Sequence, residues 1–492
     1  MLKRLESLEG AFLKYGVAAL LIVIPLYPKF PLFQIPGSWV AVRAEDFLIV
    51  FVSLIWIFSQ FRQRFEFLKD SLNKTIIFYF LVGFASFVSA LFITRSIIPH
   101  IGLFHTLRRI EYMIVFFIMV SSIKKIRDVI FYTEVIFLTL FLVFLYGLGQ
   151  KFFLFPVIST MNVEFAKGIA LRLHPGARVS STFAGHYDLA AYLVLLLPLT
   201  AAIFFGVKKT IHKILLGILA FSSFWLLLVS ASRISFFAYL IAITFTLWFL
   251  KKKFLIIPVL LFSLLFSFFT PQLTERYSRT VQVALVKIGQ LRFTLPWEKQ
   301  PTVISFLPEI IPTPTPPPSE VPSTGIKKKV IKEVPTPTPT PLEKRYVFYG
   351  AGAEIPQTED RSLSIRIKVE WPRALRALAK NPFLGTGYSS ITLATDNDYF
   401  RALGEVGILG FLVFSFILIK IALRAKKMIF IKVRTNFEDF LVIGIGGAFL
   451  GFLANAFFID VFEASKAAIT FWLLAGLLIG VYKLKFSEAK KR

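Results

Sequence analysis

Charged and polar residues crowd the start of one hydrophobic run in the stretch TDNDYFRALGEVGILG: Asp396, Asn397, Asp398, Tyr399, Arg401 and Glu405. Charge at a point where a chain enters a bilayer is costly without a use. On a helix, Asn397, Arg401 and Glu405 fall four residues apart and form a single stripe. Asp396 lies just ahead of that stripe and has two readings. As a general base it would take a proton from an attacking hydroxyl. As a helix N-cap following Thr395 it would only satisfy free amide groups.

Arginines supply the complementary chemistry. Arg178, in GARVSSTFAGHYDLAAYL, is suited to clamp a phosphate through two parallel N–H donors. Its alternative is snorkelling to the membrane interface. Arg366, together with Arg178 and Arg361, would complete a multi-point cationic cradle for a pyrophosphate and stabilise it as it departs. An ordinary place on an exposed loop is the alternative for Arg366. Arg233, in SASRISFF, occupies a very short turn flanked by Ser230, Ser232 and Ser235. Anchoring an outer hairpin is the competing role there, weakened because positive charge is biased to the inside.

Other chemistries find no support. The chain has no cysteine, which excludes disulfides, thiolate metal sites and a cysteine nucleophile. His100, His105, His174, His186 and His212 form no metal-ligand spacing, although His174 and His186 share the segment of Arg178. No P-loop or dinucleotide fingerprint is present. The expectation is therefore a site without metal or cofactor.

The elements that must position these residues are membrane helices. Mean hydropathy is +0.70, and 56% of the 492 residues are hydrophobic, 57 of them Phe. This is the composition of a polytopic membrane protein, with aromatic rings facing lipid and core. Apolar runs at 15–36, 44–60, 75–93, 110–122, 128–149, 188–206, 211–230, 234–250, 254–270, 406–423, 439–459 and 467–483 predict about twelve spans. The first run lacks a small-residue cleavage site and is expected to remain as a span. The net charge of +27 suggests nucleic acid only until the charges are placed. Basic residues fill every second loop, as the positive-inside rule requires with both termini in the cytoplasm.

That orientation puts segments 150–187 and 271–405 outside. The predicted organisation is thus a membrane part over 1–270, an outer loop over 271–405, and a second membrane part with a basic tail over 406–492. Within the loop, the Thr-Pro repeats of 312–341 favour extended polyproline II and read as a spacer without chemistry. Pro372 and Asn381-Pro382 bracket a short helix. Trp371, Leu375 and Leu378 share one of its faces, and Arg373, Arg376 and Lys380 the other. Lying in the headgroup plane and packing on its own loop are equally open to it. Gly404, Gly407 and Gly410 suggest close helix contact, with simple flexibility as the alternative.

Three landmarks, in order, carry a family resemblance: ARVSSTFAGHYDLAAYLVLLLPL, then LVSASRISFF, then DRSLSIRIKVEWPRALRALAKNPFLGTGYSS with DNDYFRALGEVGILGF. With the large loop after the ninth span, the chain resembles the O-antigen ligase and polymerase group, best over about residues 170–425. The resemblance implies an all-α membrane glycosyltransferase of the C-superfamily type. It implies an enzyme, inverting and metal-independent, in the bacterial cytoplasmic (inner) membrane. That enzyme would use an undecaprenyl-diphosphate-linked glycan donor and a saccharide acceptor, in contact with membrane lipids and with room for a chain-length regulator. The family's phosphate-binding arginines fall on Arg178 and Arg366. Ligases place a histidine where this chain has Asp396, a form closer to the polymerase-like branch. Arg233, Arg361, Asn397, Tyr399, Arg401 and Glu405 are expected to assist substrate binding. A non-enzymatic transporter or flippase for lipid-linked sugars is the rival; it would need charges along a midplane cavity.

Overall fold

Each of the twelve apolar runs overlaps a helix of the computed structural model, which describes residues 2–37, 41–160, 165–174, 176–270, 273–274, 278, 361–391, 394–430 and 436–488. In chain order they are α1 (Leu2–Leu26), α2 (Ala44–Arg62), α3 (Ser71–Phe92), α4 (Pro99–Ser122), α5 (Ile126–Phe153), α6 (His186–Gly206), α7 (Thr210–Val229), α8 (Arg233–Phe249) and α9 (Ile256–Phe268). The short helix α10 (Trp371–Lys380) precedes α11 (Asp398–Ile429), α12 (Phe437–Asn455) and α13 (Ser465–Glu488). Among the described residues, nine helices are long and apolar enough to cross a membrane. The apolar helices Arg233–Phe249 and Lys253–Phe268 are shorter, and α4 carries Arg108, Arg109 and Glu111 within its 24 residues. The first run is not helical to its end. The helix stops at Leu26, and in the Pro28–Pro31 region the chain turns into a two-residue strand, Phe33–Gln34, paired with Ala41–Val42.

Two helices form the centre. The spanning windows of α6 and α13 are 78% and 83% buried, against 39–44% for α2, α3, α5 and α7. A helix apolar on all sides is stable only when other helices surround it, and LAAYLVLLLPLTAA in α6 has that character. Around this centre, α12 packs on α6 and α8, α13 on α4, and α11 on α3. Small residues set the closest approaches: a Cβ on Gly447 of α12 would lie 2.0 Å from Thr246 Oγ1 of α8. Such contacts carry much of helix association where lipid removes the hydrophobic driving force.

Helix α11 is broken at Gly407, which takes φ 67° and ψ −174°. The preceding loop closes the break. The amides of Thr386 and Gly387 donate to the carbonyls of Gly404 (2.9 Å) and Glu405 (2.8 Å), while those of Ile408 and Leu409 donate to Pro382 (2.8 Å) and Phe383 (3.2 Å). Ser86 of α3 adds a bond to the Glu405 carbonyl at 2.9 Å. Irregular backbone at membrane depth is tolerable only when its polar groups are satisfied in this way. A Cβ at Gly407 would sit 2.3 Å from the Phe383 carbonyl oxygen, so glycine is required on steric grounds as well. The triple-glycine pattern thus resolves into separate roles. Gly404 admits α10, and Gly407 interrupts the helix.

Helix α10 is bounded as Pro372 and Asn381 predict, but its packed face is turned. Ala374 is fully buried against Gly404, whereas Leu375 is 44% exposed. A glycine contact admits only a small partner, so Ala374 and Ala377 face Gly404 and Leu375 rotates away. The chain divides into two units, Met1–Arg279 with Ser362–Arg492, and Thr280–Arg361. The Thr-Pro tract of 312–341 lies outside the described residues.

Candidate active site

Asp396 and Arg366 meet. Arg366 Nη2 donates to Asp396 Oδ2 at 2.6 Å, with the arginine side chain 6% and the carboxylate 30% exposed. Arg366 opens a π-helical turn, Arg366–Glu370, set between the short helix Arg361–Ile365 and α10. Single π turns inside helical segments recur at functional sites because they re-aim a side chain. Arg361 begins that short helix; its side chain lies outside the described residues.

The capping role falls to the neighbouring residue. Asn397 is the N-cap of α11, accepting from the Phe400 amide at 2.9 Å, and its side chain donates to the Phe457 carbonyl at 3.1 Å. Asp396 is left free of the helix and sits in the left-handed region at φ 49°. Asp460 fixes this geometry. Its two oxygens accept the Thr395 amide at 2.8 Å and the Asn397 amide at 3.0 Å. One carboxylate therefore grips the backbone on both sides of Asp396. Burial pushes the Asp396 carboxyl above the usual carboxylate range, with Asp460 adding to burial and Arg366 opposing it.

Behind this pair lies an ionic network. Arg401 Nη1 donates to Asp460 at 2.9 Å, and its Nε lies 3.3 Å from Glu463 and 3.5 Å from Glu405. Arg109 of α4 pairs with Glu463, approaches Glu405 at 3.9 Å and donates to the Phe462 carbonyl at 3.0 Å. Asp398 accepts from the Phe462 amide at 3.1 Å, and Tyr399 donates to the Leu453 carbonyl at 2.8 Å. Tyr79, Arg109, Tyr388, Asp398, Glu405 and Trp472 are among the residues lining a small cavity beside this network. Arg401 and Glu405, expected near substrate, belong to this network and also line the cavity.

Arg178 stands elsewhere on the same end of the bundle. Its Nη1 is 2.9 Å from His186 Nε2 at the start of α6. Gly451 of α12 abuts Val194 and Gly444 abuts Ala202, so α6 and α12 are antiparallel. The first turn of α6 thereby lies level with Asn455, which bonds Ser235 near the start of α8, and with Ala456, whose carbonyl accepts the Asp398 amide at 2.9 Å. Arg233 opens α8 at this level. Lys466, 1% exposed, donates to the carbonyls of Pro25, Tyr27 and Thr182 and ties down the segment next to Arg178. Among the described residues, no group of three or more His, Asp or Glu is arranged to hold a metal ion.

Sequence reading missed Arg109, Asp460 and Glu463. Arg109 is inside an apolar helix and the acids follow the end of an apolar run; charge at such places is itself a signal.

Residues 218–415 match a family model described as O-antigen ligase. Over this stretch the chain is similar to the O-antigen ligases. The match supports an O-antigen ligase and polymerase-related family, and it takes in Arg233, Arg366, Asp396 and Arg401, while Arg178 precedes it. No curated protein matches the sequence. The match and the nine long apolar helices among the described residues together support a multi-pass membrane protein related to glycan-assembly enzymes.

Proposed function

We propose that this chain is an inverting glycosyltransferase of about twelve spans at the outer face of the bacterial cytoplasmic membrane. It would transfer or polymerise oligosaccharide units from undecaprenyl diphosphate. The observation that carries the reading is the 2.6 Å pair of Arg366 and Asp396, a cation and a base held together at the mouth of a helix bundle. Donor diphosphate competes with Asp396 for Arg366. As the arginine turns to phosphate, the carboxylate loses its cationic partner and becomes the stronger base.

The acceptor hydroxyl then gives its proton to Asp396 and attacks the anomeric carbon from the face opposite the diphosphate. The bond from that carbon to the phosphate oxygen breaks, and Arg366 with Arg178 stabilises the released charge. The diphosphate is already a good leaving group, so positioning, cations and one base suffice. The family match does not favour the transporter reading. Glycan extension in membranes carrying Arg366→Ala or Asp396→Ala tests the proposal. Wild-type extension by both variants would sink it.

A further inference from the structure

Four buried polar atoms on the segments that follow Arg366 and precede Asp396 have no hydrogen-bond partner among the described residues: Glu370 Oε2, Trp371 Nε1, Arg373 Nη1 and Thr395 Oγ1. Buried polar groups are nearly always satisfied, and each exception calls for an explanation. Here the exceptions concentrate on one turn of chain, Glu370–Arg373, and on the residue adjoining Asp396. Glu370 lies in the field of Asp396, Arg366, Asp460 and Arg373. The Trp371 ring meets Phe400 edge-on, with centroids 5.6 Å apart, and Phe458 at a tilt, 6.4 Å apart. Thr395 is fully buried, its amide taken by Asp460 while its hydroxyl is left over.

The chemistry of these atoms narrows the ligand. An anion would call for donors alone. This set offers indole and guanidinium donors, a carboxylate acceptor and a hydroxyl that does both. Neighbouring donors and acceptors of this kind match the vicinal hydroxyls of a pyranose. We infer that the seam between Glu370–Arg373 and Thr395–Asp396 is a subsite for the hydroxyls of the acceptor saccharide, entered as the seam parts. Burial raises the Glu370 carboxyl to about 7, with Asp396 adding to the effect, so near neutrality it can accept or donate to a hydroxyl. The inference deepens the proposed transfer reaction and rests on it for the identity of the acceptor.

The test uses the full chain in lipid nanodiscs, with Trp371→Phe and Thr395→Val as variants that keep shape and remove one orphaned atom. Binding is read as thermal stabilisation by a panel of methyl pyranosides and, separately, by inorganic pyrophosphate. Each variant should bind the pyranosides roughly three- to tenfold more weakly, the worth of one hydrogen bond. The unliganded melting temperature should stay level or rise, because an unsatisfied buried group has been removed. A purely structural role predicts the reverse, a lower melting temperature with unchanged binding. Pyrophosphate binding should persist in both variants and vanish in Arg366→Ala. Wild-type pyranoside affinity in both variants, or no pyranoside stabilising the wild-type chain, overturns the subsite. Pyranoside binding without pyrophosphate binding or glycan extension would instead overturn the transfer reading.

Discussion

Helix α11 has an aspartate–arginine pair near each end, and the two behave oppositely. At one end Arg424 pairs with Asp70, the N-cap of α3, whose carboxylate also accepts from the Leu72 amide at 2.9 Å and lies 3.5 Å from Lys483. At the other, Arg366 pairs with Asp396. Burial pushes both carboxyls up. Around Asp70 the arginine, the amide and the lysine outweigh burial and hold the carboxyl below the usual range. Around Asp396 burial prevails, helped by Asp460. A pair surrounded by further donors is a structural tie. A pair with an acid at its back is held less firmly, as the proposed exchange of Arg366 from Asp396 to phosphate requires.

Neutralising each aspartate is the sharpest way to break this contrast. Asp396→Asn should lower glycan extension about 10²- to 10⁴-fold, the usual worth of a general base. Asp70→Asn should leave extension close to wild type and lower the melting temperature. Comparable losses of extension in both would erase the distinction.

The arginines give the next largest effect. Arg366→Ala should cost extension about 10²- to 10³-fold, as loss of one preorganised cation or donor does. Arg424→Ala should spare extension and destabilise by roughly 1–2 kcal/mol, since both partners are only partly buried. Quantified protein in the same membranes separates lost chemistry from lost folding.

Asp460→Asn tests the grip on the backbone around Asp396. It should reduce turnover about tenfold, through misplacement of a group rather than its removal. Apparent donor affinity should change little. A fall in donor affinity with turnover intact would reassign Asp460.

The smallest effect is in pH. Asp396 must be ionised to act as base, so extension should fall on acidification through its folded pKa, which lies above 3.8. Stability should follow the opposite sign at the two pairs. Asp70, depressed in the fold, contributes stability above the unfolded pKa that is lost as pH falls through the folded value. Asp396, raised in the fold, contributes none below the unfolded pKa and a growing cost as pH rises toward the folded one. Melting temperature against pH for Asp70→Asn and Asp396→Asn checks both signs.

Much of the architecture was legible because apolar runs and basic loops are local signals. The helix at Trp371–Lys380 was legible from its bracketing prolines. The stripe of Asn397, Arg401 and Glu405 was legible from spacing. Its partners were not, because Arg401 reaches Asp460 across 59 residues and Arg109 reaches Glu405 and Glu463 across roughly 300 or more. Arg108 and Arg109 also depress local hydropathy, so the apolar run read as 110–122 begins eleven residues after the helix does at Pro99. The break at Gly407 was hidden for a similar reason. A glycine triplet looks the same whether another helix or a loop comes close.

The break in α11 has a consequence for modularity. The amides and carbonyls that it frees are satisfied by residues 382–387, so the four backbone bonds that close it fall within 382–409. Loop, half-helix and kink therefore form one cassette, fastened to α3 through Ser86. Such a cassette can vary as a block, altering what faces the substrate while the span after it keeps its register.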